Sequence, residues 1–197
     1  MFKISGIGNG KNLIFKKINE KNKDTVLINY DVSHFKETVR RHDVLILVYD
    51  GICVEELFNI YESIRNIKFI PIFITTTNIY VLRINIENNS DNKDHVCPKC
   101  IARQTLNKSF KLKLYDFLIK QYGFKSIEES YGKELDHFTL LLLELIESNY
   151  LMGHVLNYSI VSNVYDFESF KGLSRCSLCD RTKYDNEDLN LALKEVL

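Results

Sequence analysis

The sequence predicts an α/β protein built on a doubly wound, mainly parallel sheet and stapled by a structural four-cysteine metal site. Three observations point there. Strand-like and helix-like stretches alternate through the first half of the chain. One of those strands, Asp43–Tyr49 (DVLILVY), is apolar almost throughout, as expected of a strand buried on both faces of a parallel sheet. Two Cys-x-x-Cys pairs, Cys97-Pro-Lys-Cys100 and Cys176-Ser-Leu-Cys179, then supply four thiols in the second half.

In order, Phe2–Ile7 reads as a short apolar strand that runs into Gly6-Ile7-Gly8-Asn9-Gly10. Lys11–Glu20 carries Leu13, Ile14, Lys17 and Ile18 at helical spacing. Thr25–Tyr30 (TVLINY) is a β-branched strand stopping at Asp31, and Ser33 is the expected N-cap of a short helix over Lys36–Arg41. After the strand Asp43–Tyr49 comes Asp50-Gly51, then an amphipathic helix over Val54–Ile67 with Leu57, Ile60, Tyr61 and Ile64 on one face. Phe69–Thr77 and Ile79–Ile86 are strands separated by little more than Asn78, which suggests a hairpin, and the second begins to alternate as if one face were wetter. Glu87–Asp94 is a polar loop into the first cysteine pair. Helices are expected over Phe110–Tyr122 and Glu134–Asn149, the latter with Leu135, Phe138, Leu141, Leu142, Leu145 and Ile146 as a wide apolar face. Gly123 and Gly132 bracket a turn, His154–Phe167 reads as one or two strands, and Asn186–Leu197 as a closing helix.

Composition narrows the function classes. The 197 residues are expected to form one domain, with a parallel-sheet half over 1–94 and a cysteine-bearing half over 95–197. A hydrophobic fraction of 45% with 12% aromatics indicates a globular chain. Lys plus Arg and Asp plus Glu number 26 each, so no net field draws in nucleic acid or an anionic membrane, and a zinc-ribbon nucleic-acid module is disfavoured. No apolar stretch follows Lys3 as a signal peptide would require, and the run Leu140–Leu143 is far too short to span a bilayer. A cytoplasmic location with reduced thiols is the expectation.

In that setting the four thiolates of Cys97, Cys100, Cys176 and Cys179 match the ligand set of a closed tetrahedral zinc site. With about 75 residues between the pairs, a metal would tie a mid-chain loop to a segment near the C-terminus. Two disulfides, or four unrelated buried thiols, are the alternatives. His95 is better placed to orient a ligand than to replace one, and Cys53 reads as a packing residue at a helix start. Gly6, Gly8 and Gly10 lie between a strand and a helix, where backbone amides can cradle phosphate. Asp31 and Asp50 end the second and third strands, where open α/β sheets bind ligands. The spacing is G-x-G-x-G, with Lys11 displacing the third glycine of the usual fingerprint, and a tight turn with two acidic strand ends explains the same residues. Nothing in the sequence resembles a nucleophile–base–acid triad.

The order of these features resembles the ThiF-like fold of ubiquitin-activating-type adenylating enzymes. The glycine turn after the first strand, Asp31 after the second and Asp50-Gly51 after the third match in sequence order. A strand opening on Ile70-Pro71, a second strand, and a loop into Cys97-Pro-Lys-Cys100 with Arg103 behind it resemble that family's first zinc half-site, and Cys176-Ser-Leu-Cys179 its second. Adenylating members follow the second-strand aspartate with an ATP-contacting Asn and Arg segment and carry a further catalytic lysine. Here Asp31 is followed by Val-Ser-His-Phe-Lys-Glu-Thr-Val-Arg-Arg, and Lys36, Arg40 and Arg41 do not match that segment residue by residue.

The departures resemble the divergent ThiF-like partner proteins of thiazole/oxazole-modified microcin and thiopeptide biosynthesis. The resemblance implies an incomplete Rossmann-like fold with one structural zinc and no catalytic residues. It also implies a vestigial nucleotide site at Gly6, Gly8, Gly10, Asp31 and Asp50 that does not use ATP. The implied function is a scaffold that binds a precursor's leader peptide and presents the core to a YcaO-type cyclodehydratase, with a flavin-dependent dehydrogenase oxidising azolines to azoles. A homodimer is compatible with it. No winged-helix leader-binding module is evident before the first strand, so leader recognition is expected elsewhere, with Ile79–Ile86 as one edge for strand addition. The rival reading is an active adenylyltransferase that uses the same glycines and aspartates to activate a peptide or protein carboxylate.

Overall fold

The computed structural model describes residues 1–21, 24–40, 42–52, 54–64, 67, 69–82, 132–148 and 154–169. Its elements are β1 (Phe2–Ile7), α1 (Gly10–Lys21), β2 (Thr25–Leu27), α2 (Val32–Thr38), β3 (Val44–Asp50), α3 (Val54–Ser63), β4 (Phe69–Ile74), β5 (Asn78–Leu82), α4 (Gly132–Glu147), β6 (His154–Ser159) and β7 (Tyr165–Ser169). One seven-stranded sheet takes them in the order β2-β1-β3-β4-β5-β6-β7. β2, β1, β3 and β4 are parallel, whereas β5, β6 and β7 are each antiparallel to the strand before. β6 therefore points the same way as β1–β4, and five of the seven strands share one direction. β2 and β3 lie on opposite sides of β1, which makes the carboxyl end of the β1–β3 pair a topological switch point.

Strand alternation sends β3 into two cores at once. Leu45, Leu47 and Tyr49 pack with Phe35 of α2 and Leu57 and Ile60 of α3. Ile46 and Val48 face Ile14 and Ile18 of α1 and Leu135, Phe138 and Leu142 of α4. All of these are fully or almost fully buried, and burial of each large apolar side chain is worth about 1.5–3 kcal/mol. The apolar spacing expected of α4 is realised: Leu135, Phe138, Leu142 and Leu145 are buried, with Leu141 and Ile146 partly so. A salt bridge of 2.7 Å from Lys17 to Asp136 joins α1 to α4 at the surface. At the opposite end of β3, buried Asp43 accepts from the Arg40 amide at 2.9 Å and faces Lys3 at 3.5 Å, while the Lys3 ammonium also donates to the Thr38 carbonyl. Burial alone would raise the Asp43 carboxyl, but the Arg40 amide and Lys3 outweigh it and hold it below its ordinary value.

Three expectations are corrected. Asp31, not Ser33, is the N-cap of α2, because its carboxylate reaches the Ser33 amide, and the helix covers Val32–Thr38 rather than Lys36–Arg41. β2 ends at Leu27 instead of Tyr30. The described part of Ile79–Ile86 is not an edge: β5 lies between β4 and β6, with Val81 opposite both Ile72 and Leu156. Among the described strands the edges are β2 and β7. The segment 83–86, the loop Glu87–Asp94, the helices expected over Phe110–Tyr122 and Asn186–Leu197, the turn at Gly123, Arg41, Cys53, His95 and all four paired cysteines lie outside the described residues. Among the described helices none is long and apolar enough to cross a membrane.

Two substitutions test this packing by urea denaturation. Phe138, fully buried with its ring 5.5 Å from that of Tyr158, should cost about 3–5 kcal/mol as Phe138→Ala. The Ser5 hydroxyl is the one buried side-chain polar atom among the described residues without a hydrogen-bond partner. Ser5→Ala is therefore expected to be neutral or to stabilise by up to about 1 kcal/mol, and a clear loss of stability would contradict its orphaned state.

Candidate functional site

The switch point is built from the glycine turn and the end of β3. Gly6 and Val48 are register partners in the parallel β1–β3 pair. A Cβ on Gly6 would lie 1.7 Å from the Val48 carbonyl oxygen, so only glycine lets the two backbones approach this closely. Gly8, at φ +101°, turns the chain out of β1 and towards α1, and a Cβ there would lie 2.3 Å from the Asp50 Cγ. Gly10 opens α1 and is buried.

Asp50 occupies the space thus left. It is 2% exposed. Its Oδ2 accepts from the Asn9 amide at 2.7 Å and its Oδ1 from the Gly10 amide at 2.9 Å. The carboxylate thus satisfies two donors at the start of α1 and sits at the positive end of the helix dipole. Lys11 folds back to donate from Nζ to the Gly6 carbonyl at 3.1 Å. Gly8, Gly10 and Asp50 therefore form one cluster, with Gly6 as the hinge that brings β3 alongside.

Asp31 is engaged elsewhere. Its Oδ1 accepts from the Ser33 amide at 2.9 Å and the Ser33 hydroxyl at 2.6 Å, and its Oδ2 lies 2.8 Å from His34 Nδ1. The Ser33 hydroxyl, then His34 and the Ser33 amide hold the Asp31 carboxyl down at about 2, and the bond to Asp31 raises His34 above its ordinary 6.5. Asp31, four residues beyond the end of β2, is a helix cap with a histidine partner.

A second cluster at the same edge was not anticipated from the sequence. Tyr30 donates to Glu56 Oε2 of α3 at 3.0 Å and its hydroxyl lies 3.4 Å from that of Tyr49. The Tyr30 ring stands edge-on to Tyr49 and to Phe35, and Tyr49 stacks on Phe73 at 5.5 Å. Tyr49 is fully buried. A tyrosine in an otherwise aliphatic buried strand was the available signal, since its hydroxyl requires a polar partner at the strand end. Among the described residues no three His, Cys, Asp or Glu side chains converge as a metal site, and the four paired cysteines lie outside those residues.

The Asp31–His34 pair gives a pH signature. His34, raised when folded, stabilises the structure fully below 6.5 and loses that contribution as the pH climbs through its folded value. Asp31, depressed when folded, contributes above 3.8 and loses it as the pH falls towards about 2. The pair is strongest between those limits. In a histidine NMR titration the His34 midpoint is expected above 6.5 and should fall towards it in Asp31→Asn; an unchanged midpoint would refute the pairing.

No family model matches the sequence, and no curated protein matches it significantly. Solved structures do share its fold. A chain of the E. coli microcin synthetase McbBCD complex superposes over 89% of this chain and 67% of its own, with a TM-score of 0.61 and 14% identity. In the same complex with pro-MccB17 bound, the shares are 92% and 70%, the TM-score 0.59 and the identity 12%. A heterocyclase in complex with substrate and cofactor matches over 93% of this chain at TM-score 0.63 and 11% identity, and there this chain spans only 26% of the larger protein. At these identities the likeness is one of fold: the mixed α/β sheet described above is the architecture found in components of microcin synthetase and heterocyclase complexes.

Proposed function

We propose that this chain is a zinc-stapled, ThiF-like scaffold of azole-forming peptide biosynthesis that performs no catalysis alone. It binds the leader of a ribosomal precursor peptide and presents the core to a YcaO-type cyclodehydratase, and a flavin-dependent dehydrogenase then oxidises azolines to azoles. The observation that carries this reading is the fold shared with a chain of the microcin synthetase complex, including the complex with pro-MccB17 bound. The physical contribution is effective concentration: one surface that holds both leader and enzyme makes each successive modification of the core intramolecular.

The rival adenylyltransferase needs the amides of the glycine turn for phosphate, and Asp50 engages two of them. Asp31, the residue available to hold a ribose, is committed to α2. Both contacts favour the scaffold. The proposal extends to one zinc ion held by Cys97, Cys100, Cys176 and Cys179, supported by the spacing of the two pairs and by the resemblance of their order to a known family. The metal's task is to dock the segment around Cys176 onto the loop around Cys97.

Two measurements test these points. The purified chain should show no ATP-dependent pyrophosphate exchange, yet bind a fluorescent leader peptide and co-elute with the YcaO-type partner; exchange without peptide binding would establish the adenylyltransferase instead. Elemental analysis should give one zinc per chain, and Cys97→Ser or Cys176→Ser should abolish it and lower the melting temperature. An unaffected melt after either substitution would sink the staple.

A further inference from the structure

We propose that Asp50 is a built-in anion that closes the glycine turn to phosphoryl ligands from within, an autoinhibitory contact between the end of β3 and the start of α1. The turn and helix start have the elements of a phosphate cradle: a strand, a glycine turn and backbone amides at a helix N-terminus. The fold already places an anion there. Both oxygens of one carboxylate are used, Oδ2 on the Asn9 amide and Oδ1 on the Gly10 amide, at 2.7 and 2.9 Å. This is the chemistry phosphate would use, with negative charge at the positive end of a helix dipole and short charge-assisted bonds from backbone donors.

The contact is fixed by the sheet. Asp50 is the last residue of β3, one position beyond the Ile7–Tyr49 register pair, and is almost completely buried. Gly51 follows it at φ +120°, so the chain leaves the strand without moving the carboxylate out. The fit around Gly8 is close enough that even a methyl group would overlap the carboxylate, at 2.3 Å from Cγ and 2.4 Å from Oδ2. An external phosphate would also compete against a group that loses no translational freedom on binding. Beside it, the hydrogen bond from Tyr30 to Glu56 ties the segment after β2 to the first turn of α3. The inference rests on these contacts alone, so a failure of leader-peptide binding would leave it standing.

The test uses the full chain, isotope-labelled, titrated with inorganic phosphate and pyrophosphate against chloride at matched ionic strength. In the wild type the Asn9 and Gly10 amide resonances should stay in place. In Asp50→Ala they should shift saturably, with apparent affinity at least about tenfold above wild type, and phosphate should raise the variant's melting temperature while leaving the wild type unchanged. Asp50→Asn, which keeps the volume but loses the charge and turns one acceptor oxygen into a donor, should leave one of the two amides without its acceptor and respond to phosphate less than Asp50→Ala but more than the wild type. If Asp50→Ala does not fold in chloride, refolding in phosphate reads the same property: recovery there supports the proposal, and failure in both salts overturns it. Saturable phosphate shifts at Asn9 and Gly10 in the wild type, or a folded Asp50→Ala that ignores phosphate, would equally overturn it.

Discussion

The close approach of β1 and β3 is the constraint on which the rest of this structure depends. It exists because Gly6 has no side chain to meet the Val48 carbonyl. With the strands in that register, Asp50 emerges beside the start of α1, and Gly8 leaves room for its carboxylate against two amides. One contact thereby settles where β1 ends, how α1 is capped and how the carboxyl edge of the parallel strands is filled. The faces follow from the same strand. Because β3 is apolar at every position from Val44 to Val48, it supports α2 and α3 on one side and α1 and α4 on the other. A polar residue at any of these positions would leave one of the two cores with a group to satisfy.

What the sequence disclosed divides along the range of the interactions. β1, β3, α1 and α4 were legible because their signals are local: a short strand running into a glycine turn for β1, a nearly continuous apolar run for β3, and 3.6-residue spacing for the helices. Asp50 was legible as an acidic strand end, but not as the cap of a helix 40 residues earlier, since that depends on register. β5 was misread as an edge because alternation reports how wet a face is and not which strand arrives next to it. Its partner β6 lies in a distant part of the chain. At Asp31 the reading failed over two residues: Asp and Ser are both good caps, and the choice between them turns on which side chain reaches back to a free amide. Tyr30, Tyr49 and Glu56 come together from β2's exit, β3 and α3, with no periodicity to announce them.

Fold and chemistry separate at the carboxyl edge. An open α/β sheet offers its helix N-termini as anion sites, and those amides require partners whether or not a ligand is bound. In a chain that uses phosphate, the ligand can satisfy them. Here the carboxylate of Asp50 does so, and α1 is capped without any ligand. An internal anion of this kind removes the energetic link between the stability of the fold and nucleotide binding. On the proposed scaffold function that separation is what the molecule requires. A protein that only holds a peptide beside an enzyme must stay folded at any nucleotide concentration, and its binding surface should not change when ATP turns over on its partner. The same atoms that make the sheet self-sufficient would then keep its affinity for the peptide independent of the partner's reaction cycle.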